Sequence, residues 1–213
     1  MEEPVSITHA AFQAAINFDG LSSEERRRRR ADARDSWWPP GLLAPHWVTE
    51  KSFYYDVGRP GSGDRHVVGK GFEFDGASVP VPLTLFVPQT HSLYLGAAAL
   101  HDWLYAVEHE TVDRERADAI FREAMIVLGL KWFWAGLMWR AVRAGGWAPW
   151  YARKPGTRAW RILQLPWPVR LPLIWAITVI RGFWGVVAHD IWNWGEFRRE
   201  AARIRALDAP EGA

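Results

Sequence analysis

The stretch Leu100-His101-Asp102-Trp103-Leu104-Tyr105 sets a histidine, a carboxylate and a phenol close together, and Asp118 follows in Arg116-Ala117-Asp118-Ala119-Ile120-Phe121. Both surroundings read as apolar helix, where a polar group costs free energy unless it has a partner. A histidine with one ring nitrogen held by a buried carboxylate keeps the other nitrogen free as a general base near neutral pH. His101 with Asp118 is such a pair. Asp102 points elsewhere and is available to a cation. A hard ion such as calcium takes about six to eight oxygens, and the Asp75-Gly76-Ala77 turn can supply some of them, with Asp75 as a second candidate ligand. A water-activating base beside a Lewis acid suits ester hydrolysis: His101 deprotonates water, and the metal holds the carbonyl oxygen as it becomes an oxyanion.

Two helices must position these groups. At about 100° per residue, the segment Ser92 to Val107 has an apolar stripe of Leu93, Ala97, Leu100, Leu104 and Val107. His101 and Tyr105, four apart, share one flank of it, and Asp102 lies about a quarter turn further round. Thr111 or Asp113 caps the next helix, whose stripe is Ala117, Ile120, Phe121, Ala124 and Leu128, with Asp118 on the flank beside Met125. The short connection from Glu108 to Val112 makes the helices antiparallel neighbours, so His101 and Asp118 can meet at their seam. A third helix, Lys131 to Ala144, is expected to stop at Gly145-Gly146.

Upstream, residues His46 to Val57 and Arg65 to Phe74 are β-branched and aromatic with imperfect alternation, separated by the turn-forming run Gly58 to Asp64. This predicts a hairpin with a long loop, delivering the turn Asp75-Gly76-Ala77-Ser78-Val79-Pro80. His46 and His66 on the hairpin are expected at the surface. Before it, Ser22 to Glu25 forms a capping box, and the run Arg26 to Arg30 finds acidic partners four residues away, a self-paired solvated helix ended by Trp37-Trp38-Pro39-Pro40-Gly41.

The remainder is built differently. Of 15 Trp, eleven lie beyond residue 130. Trp147 to Pro168 reads as an irregular Pro/Trp/Arg connector. Leu171 to Trp194 is apolar on nearly every face, interrupted by Arg181, and three readings stay open: a buried helix, a helix lying in a membrane interface, or a span. A charged helix, Glu196 to Leu207, follows. With 26 Lys+Arg against 24 Asp+Glu, the net charge of +2 argues against a dedicated polyanion binder, and no nucleic-acid partner is expected. The absence of cysteine excludes a disulfide scaffold and a thiolate metal site. The start, Met1-Glu2-Glu3-Pro4, lacks a basic, then apolar, run, so no cleavable signal is expected.

The expected architecture is α+β: a small antiparallel β-hairpin packed on a mainly helical core, with a Trp-rich C-terminal helical appendage. The expected divisions are an N-terminal helical extension over residues 1–45, a core domain over 46–146, and a connector with a helical C-terminal region over 147–213.

Two resemblances follow from these residues. The run Ala97 to Tyr105 containing His101-Asp102-x-x-Tyr105, with Arg116 to Phe121 and Met125, resembles the active-site helix pair of calcium-dependent phospholipase A2. That resemblance implies His101 as base, Asp102 as calcium ligand, Asp118 as the partner of His101, and Tyr105 as hydrogen-bonding support. It spans roughly residues 71 to 129. The glycine-rich calcium loop and helix-locking cysteines of that family are absent, and Phe72 to Ser78 stands in the loop's place. From about Val67 to Gly146, the pattern Gly71-Phe72-x-x-Asp75-Gly76-Ala77-Ser78-x-Pro80, His101-Asp102-x-Leu104-Tyr105, Ala117-Asp118-x-x-Phe121 and Ala141-Val142-Arg143-x-x-Gly146 is similar to a phage and prophage family called domain of unknown function 1353. That membership implies a viral or prophage setting, in the virion or the host cytoplasm, and no particular reaction.

Rival readings use the same residues. His101, Asp102, Tyr105 and Asp118 can form a structural network, in a virion or membrane-associated protein whose Trp-rich C-terminal region meets a lipid or partner surface. A serine mechanism through Ser78, His101 and Asp118 lacks the strained Gly-x-Ser-x-Gly turn. A metal-dependent phosphohydrolase of the HD type needs further histidine ligands, for which His91, His109 and His189 are poorly placed.

Overall fold

The computed structural model describes residues 3–7, 16–17, 47–74, 92–181 and 194–208. Strands β4 (Phe53–Asp56) and β5 (Arg65–Val68) pair antiparallel, Phe53 opposite Val68 and Tyr55 opposite His66. Directly opposed residues share a face of the sheet, so Phe53, Tyr55, His66 and Val68 all turn inward and are buried. His66 is therefore not the surface residue expected from the sequence. Its parity is set by Val68 two positions on, while Val67 takes the outer face. Strand β1 (Val5–Ser6) adds to the same sheet parallel to β4, and Ile7 just beyond it is buried in the core.

The long hairpin does not run straight. A second small sheet orders β2 (Ile16–Asn17), β3 (Trp47–Val48) and β6 (Glu73–Phe74), with both pairings antiparallel. The corner between the sheets is tied by Thr49, which is buried. Its hydroxyl donates to the Gly69 carbonyl at 2.7 Å and accepts from the Phe72 amide at 2.9 Å. The Gly71 amide donates to the Thr49 carbonyl at 2.8 Å from a backbone with φ of 80°, a conformation glycine adopts at little cost. This corner is the physical reason for the imperfect alternation.

Seven helices are described. Helix α1 (Ser92–Ala106) is held against β5 and β6 and buries Leu95, Ala97 to Leu100, Leu104 and Tyr105. Val107, assigned to its stripe, lies beyond the helix and is half exposed. Helix α2 (Arg114–Val127) is capped by Asp113, whose carboxylate accepts from the Arg116 amide at 2.8 Å. It buries Ala117, Ile120, Phe121 and Ala124 as its spacing requires. Helix α3 (Trp132–Gly145) follows, and α4 (Trp147–Ala152) starts directly after Gly146.

The segment after Trp147 is more regular than its prolines suggest. Helices α4 and α5 (Arg158–Leu163) occupy it, the second capped by the Thr157 hydroxyl on the Trp160 amide at 3.1 Å. With α6 (Trp167–Arg181) they enclose a second core of Trp147, Ala148, Leu163 and Ile174. Helix α7 (Trp194–Asp208) returns to α2 and α3, where Ala201 is buried in the main core. No helix among the described residues is long and apolar enough to cross a membrane.

Candidate active site

The seam between α1 and α2 brings His101, Tyr105 and Asp118 together. His101 Nε2–H donates to Asp118 Oδ1 at 2.9 Å, and the Tyr105 hydroxyl donates to the same oxygen at 2.6 Å. Helix geometry explains the convergence: four residues separate His101 from Tyr105, one turn of α1, and Asp118 faces them from the antiparallel helix. Asp118 is 0 % exposed. A carboxylate so placed needs charge partners. It finds them in the two rings and in two arginines: Arg143 of α3 donates to Oδ2 at 3.1 Å, and Arg114, one turn before Asp118, stands at 3.7 Å from that oxygen.

These arginines were not anticipated as site residues. Arg114 carried a signal in its four-residue spacing from Asp118. Arg143 lies within Ala141-Val142-Arg143-x-x-Gly146 but on a third helix, which no local periodicity connects to Asp118. The two are themselves tied, since Arg114 Nη1 donates to the Arg143 carbonyl at 3.1 Å.

Packing fixes the rings. His101 lies 4.2 Å from the Tyr105 ring centroid and 4.7 Å from that of Phe121, and Trp150 of α4 meets Tyr105 edge-on at 4.9 Å. Gly146 closes this side. A Cβ there would sit 2.7 Å from the Tyr105 hydroxyl and 2.6 Å from the Val142 carbonyl, so only glycine allows the approach.

Electrostatics follow from the geometry. Burial opposes a charge on His101, but the carboxylates of Asp102 and Asp118 outweigh it and raise its pKa from 6.5 to about 9. Asp102 contributes as an ion pair, its Oδ1 being 3.8 Å from His101 Nδ1. Burial pushes the Asp118 carboxyl up, yet the hydrogen bond and charge of His101, with Tyr105 and Arg114, leave it below its ordinary value. Burial and the neighbouring Asp118 charge drive the Tyr105 phenol upward, so it stays a donor.

Asp102 is the partly exposed member, its side chain 29 % accessible. Asp75, the other expected metal ligand, lies outside the described residues, as do Ser78, His46, His91 and His189. Among the described residues no group of three or more His, Cys, Asp or Glu side chains is placed to hold a metal ion. One carboxylate falls short of the roughly six to eight oxygens calcium takes. The described residues therefore do not by themselves form a calcium site.

A second polar cluster lies on the hairpin side of α1. Glu108 accepts from His66 Nδ1 at 2.6 Å and from the Trp103 indole at 2.9 Å. Burial raises its pKa, but these two donors prevail and hold it below the ordinary value. The other His66 nitrogen is buried with no hydrogen-bond partner among the described residues, 3.6 Å from an Asp64 oxygen.

Neither the curated proteins nor the solved structures give a significant match to the chain. The likeness to phospholipase A2 thus rests on the helix-pair residues alone. A family model does match, over residues 47–142, which include the hairpin, α1, α2 and most of α3. This matched part of the chain, which carries His101, Tyr105 and Asp118, is similar to the family described as protein of unknown function (DUF1353).

Proposed function

We propose that His101 and Asp118 form the proton-transfer dyad of a hydrolase acting on an ester, of lipid type, in a phage or prophage protein. The observation that supports the reading is the division of His101's nitrogens. Nε2 is anchored on a fully buried carboxylate, and Nδ1 is on the side of Asp102, the partly exposed carboxylate. Asp118, restrained by donors from Tyr105 and Arg143, fixes ring orientation and tautomer, as an orienting carboxylate does in hydrolytic dyads and triads.

In this reading, neutral His101 takes a proton from water at Nδ1 as the water oxygen bonds to the ester carbonyl carbon. The carbon–oxygen bond to the alcohol then breaks, and the imidazolium returns the proton to the departing alkoxide, giving acid and alcohol. Because the ring keeps its proton up to about pH 9, the base form grows with pH. Hydrolysis should rise through that range. The phage setting rests on the family resemblance. The calcium expectation rests on Asp102 together with Asp75: added calcium should raise the melting temperature of the wild type and not of Asp102→Asn.

A structural reading has its own support, because Asp118 gathers groups from α1, α2 and α3 and so ties three helices. His101→Gln separates the two. Its amide can still donate to Asp118 but carries no titrating proton. With acyl-ester and phospholipid-vesicle substrates, the hydrolase reading expects a wild-type activity that falls about a hundredfold or more in a folded His101→Gln protein. No acyl release by the wild type, or equal release by the variant, rejects it.

A further inference from the structure

We infer that the outward face of α6, together with the exposed arginines of the neighbouring α5 segment, is a docking site for an anionic lipid bilayer. The inference is independent of any hydrolytic activity. Helix α6 buries Ile174 and half-buries Ile177 against Trp147, Ala148 and Leu163, and the Thr178 hydroxyl accepts from the Trp147 indole at 3.1 Å. That fixes which side faces out. Stepping about 100° per residue, the opposite face is Val169, Pro172, Trp175, Ala176, Val179 and Ile180, each exposed and none polar. Trp175 is 64 % exposed and Ile180 60 %. A helix in water normally turns its polar residues outward; here the polarity is inverted. A contiguous apolar face of this kind marks an interaction surface.

Charge decides the occupant. From Ala124 to His189 the sequence holds nine Lys and Arg and no Asp or Glu, although the whole chain is nearly balanced. Arg153, Arg158 and Arg161, on and beside α5, which contacts α6, are exposed. Their positive charge complements the headgroups of an anionic leaflet. An apolar helical face bearing tryptophan, on a helix whose neighbour carries exposed basic side chains, is the pattern of a helix lying in the membrane interface, tryptophans at headgroup depth. A second copy of this chain would bring the same exposed basic side chains together, which opposes self-association through this face.

The test is co-sedimentation of the full chain with phosphatidylcholine vesicles and with mixed phosphatidylcholine–phosphatidylglycerol vesicles, at low and high salt. The expected result is binding to the anionic vesicles, weakened by salt, and reduced about tenfold or more in a Trp175→Ser/Ile180→Ser variant. Both side chains are largely exposed, so the fold should persist; a thermal melt checks this, and Trp175→Ser alone serves if the pair does not fold. Absence of binding to anionic vesicles overturns the inference, as does equal binding by the variant. A concentration-dependent dimer that the variant abolishes also overturns it, by assigning the face to a second copy.

Discussion

At the scale of single residues, Asp118 is the group on which the others depend. Removing its charge leaves the His101 imidazolium and the Arg143 guanidinium facing an amide in a buried site, so Asp118→Asn should cost about 3–5 kcal/mol in denaturant unfolding. Tyr105→Phe deletes one hydrogen bond to a charged acceptor and should cost about 1.5–3 kcal/mol. The pH dependence has two arms. His101 has a raised folded-state pKa, so its stabilisation is fully present below about 6.5 and is lost as the pH rises through about 9. Asp118 is depressed, so its stabilisation is present above 3.8 and is lost as the pH falls through its lowered value. Melting temperatures of the wild type should therefore decline on the alkaline side between those limits, and His101→Gln should flatten that decline.

At the scale of elements, the helix pair and the antiparallel hairpin were legible and the corner in the hairpin was not. Two stripes with a short connection fixed which flanks of α1 and α2 would meet, and the His101–Asp118 contact follows from that wheel geometry alone. Residues 47–74 signalled paired strands and their loop but carried no signal for the corner. A hairpin that turns a corner looks in sequence like a poor alternation, and the pin is one threonine whose role depends on Gly69 and Phe72, far along the chain. Thr49→Val keeps the volume and loses both hydroxyl bonds, so it should destabilise by roughly 1–3 kcal/mol in thermal or chemical unfolding. Likewise, His66 was legible as a strand residue but its face was not, since either of two adjacent valines could have pointed inward. Arg143 reaches Asp118 from a third helix and could be placed only by tertiary structure. Gly146, read as a helix stop, has a second duty beside the Tyr105 hydroxyl. Gly146→Ala should cost about 1–3 kcal/mol through overpacking there.

At the scale of the whole molecule, chain from both ends enters the main core: Ile7 follows β1 into it, and Ala201 brings α7 onto α2 and α3. Helix α7 also places the Glu200 carboxylate on Arg122 and sends Arg205 to the Leu130 carbonyl at 3.0 Å. The charged sequence of α7 concealed this, because its inward contacts are few: Ala201 is buried, Ile204 packs on the core and Phe197 meets Trp139 at 5.5 Å, while exposed charged residues surround them. Against this closed core, α6 presents apolar residues outward, and the tryptophan enrichment divides accordingly: Trp147 and Trp150 build cores while Trp167 and Trp175 stand at the surface.

The central claim is that a buried, ionised Asp118 holds His101 as the proton-carrying group of this molecule, whether the proton serves catalysis or cohesion. An NMR titration of the histidine rings, with His101 assigned through His101→Gln, tests it directly. The account predicts that His101 loses its proton near pH 9, and that Asp118→Asn, if folded, moves this titration downward. A His101 ring already neutral at pH 7 in the wild type would contradict it.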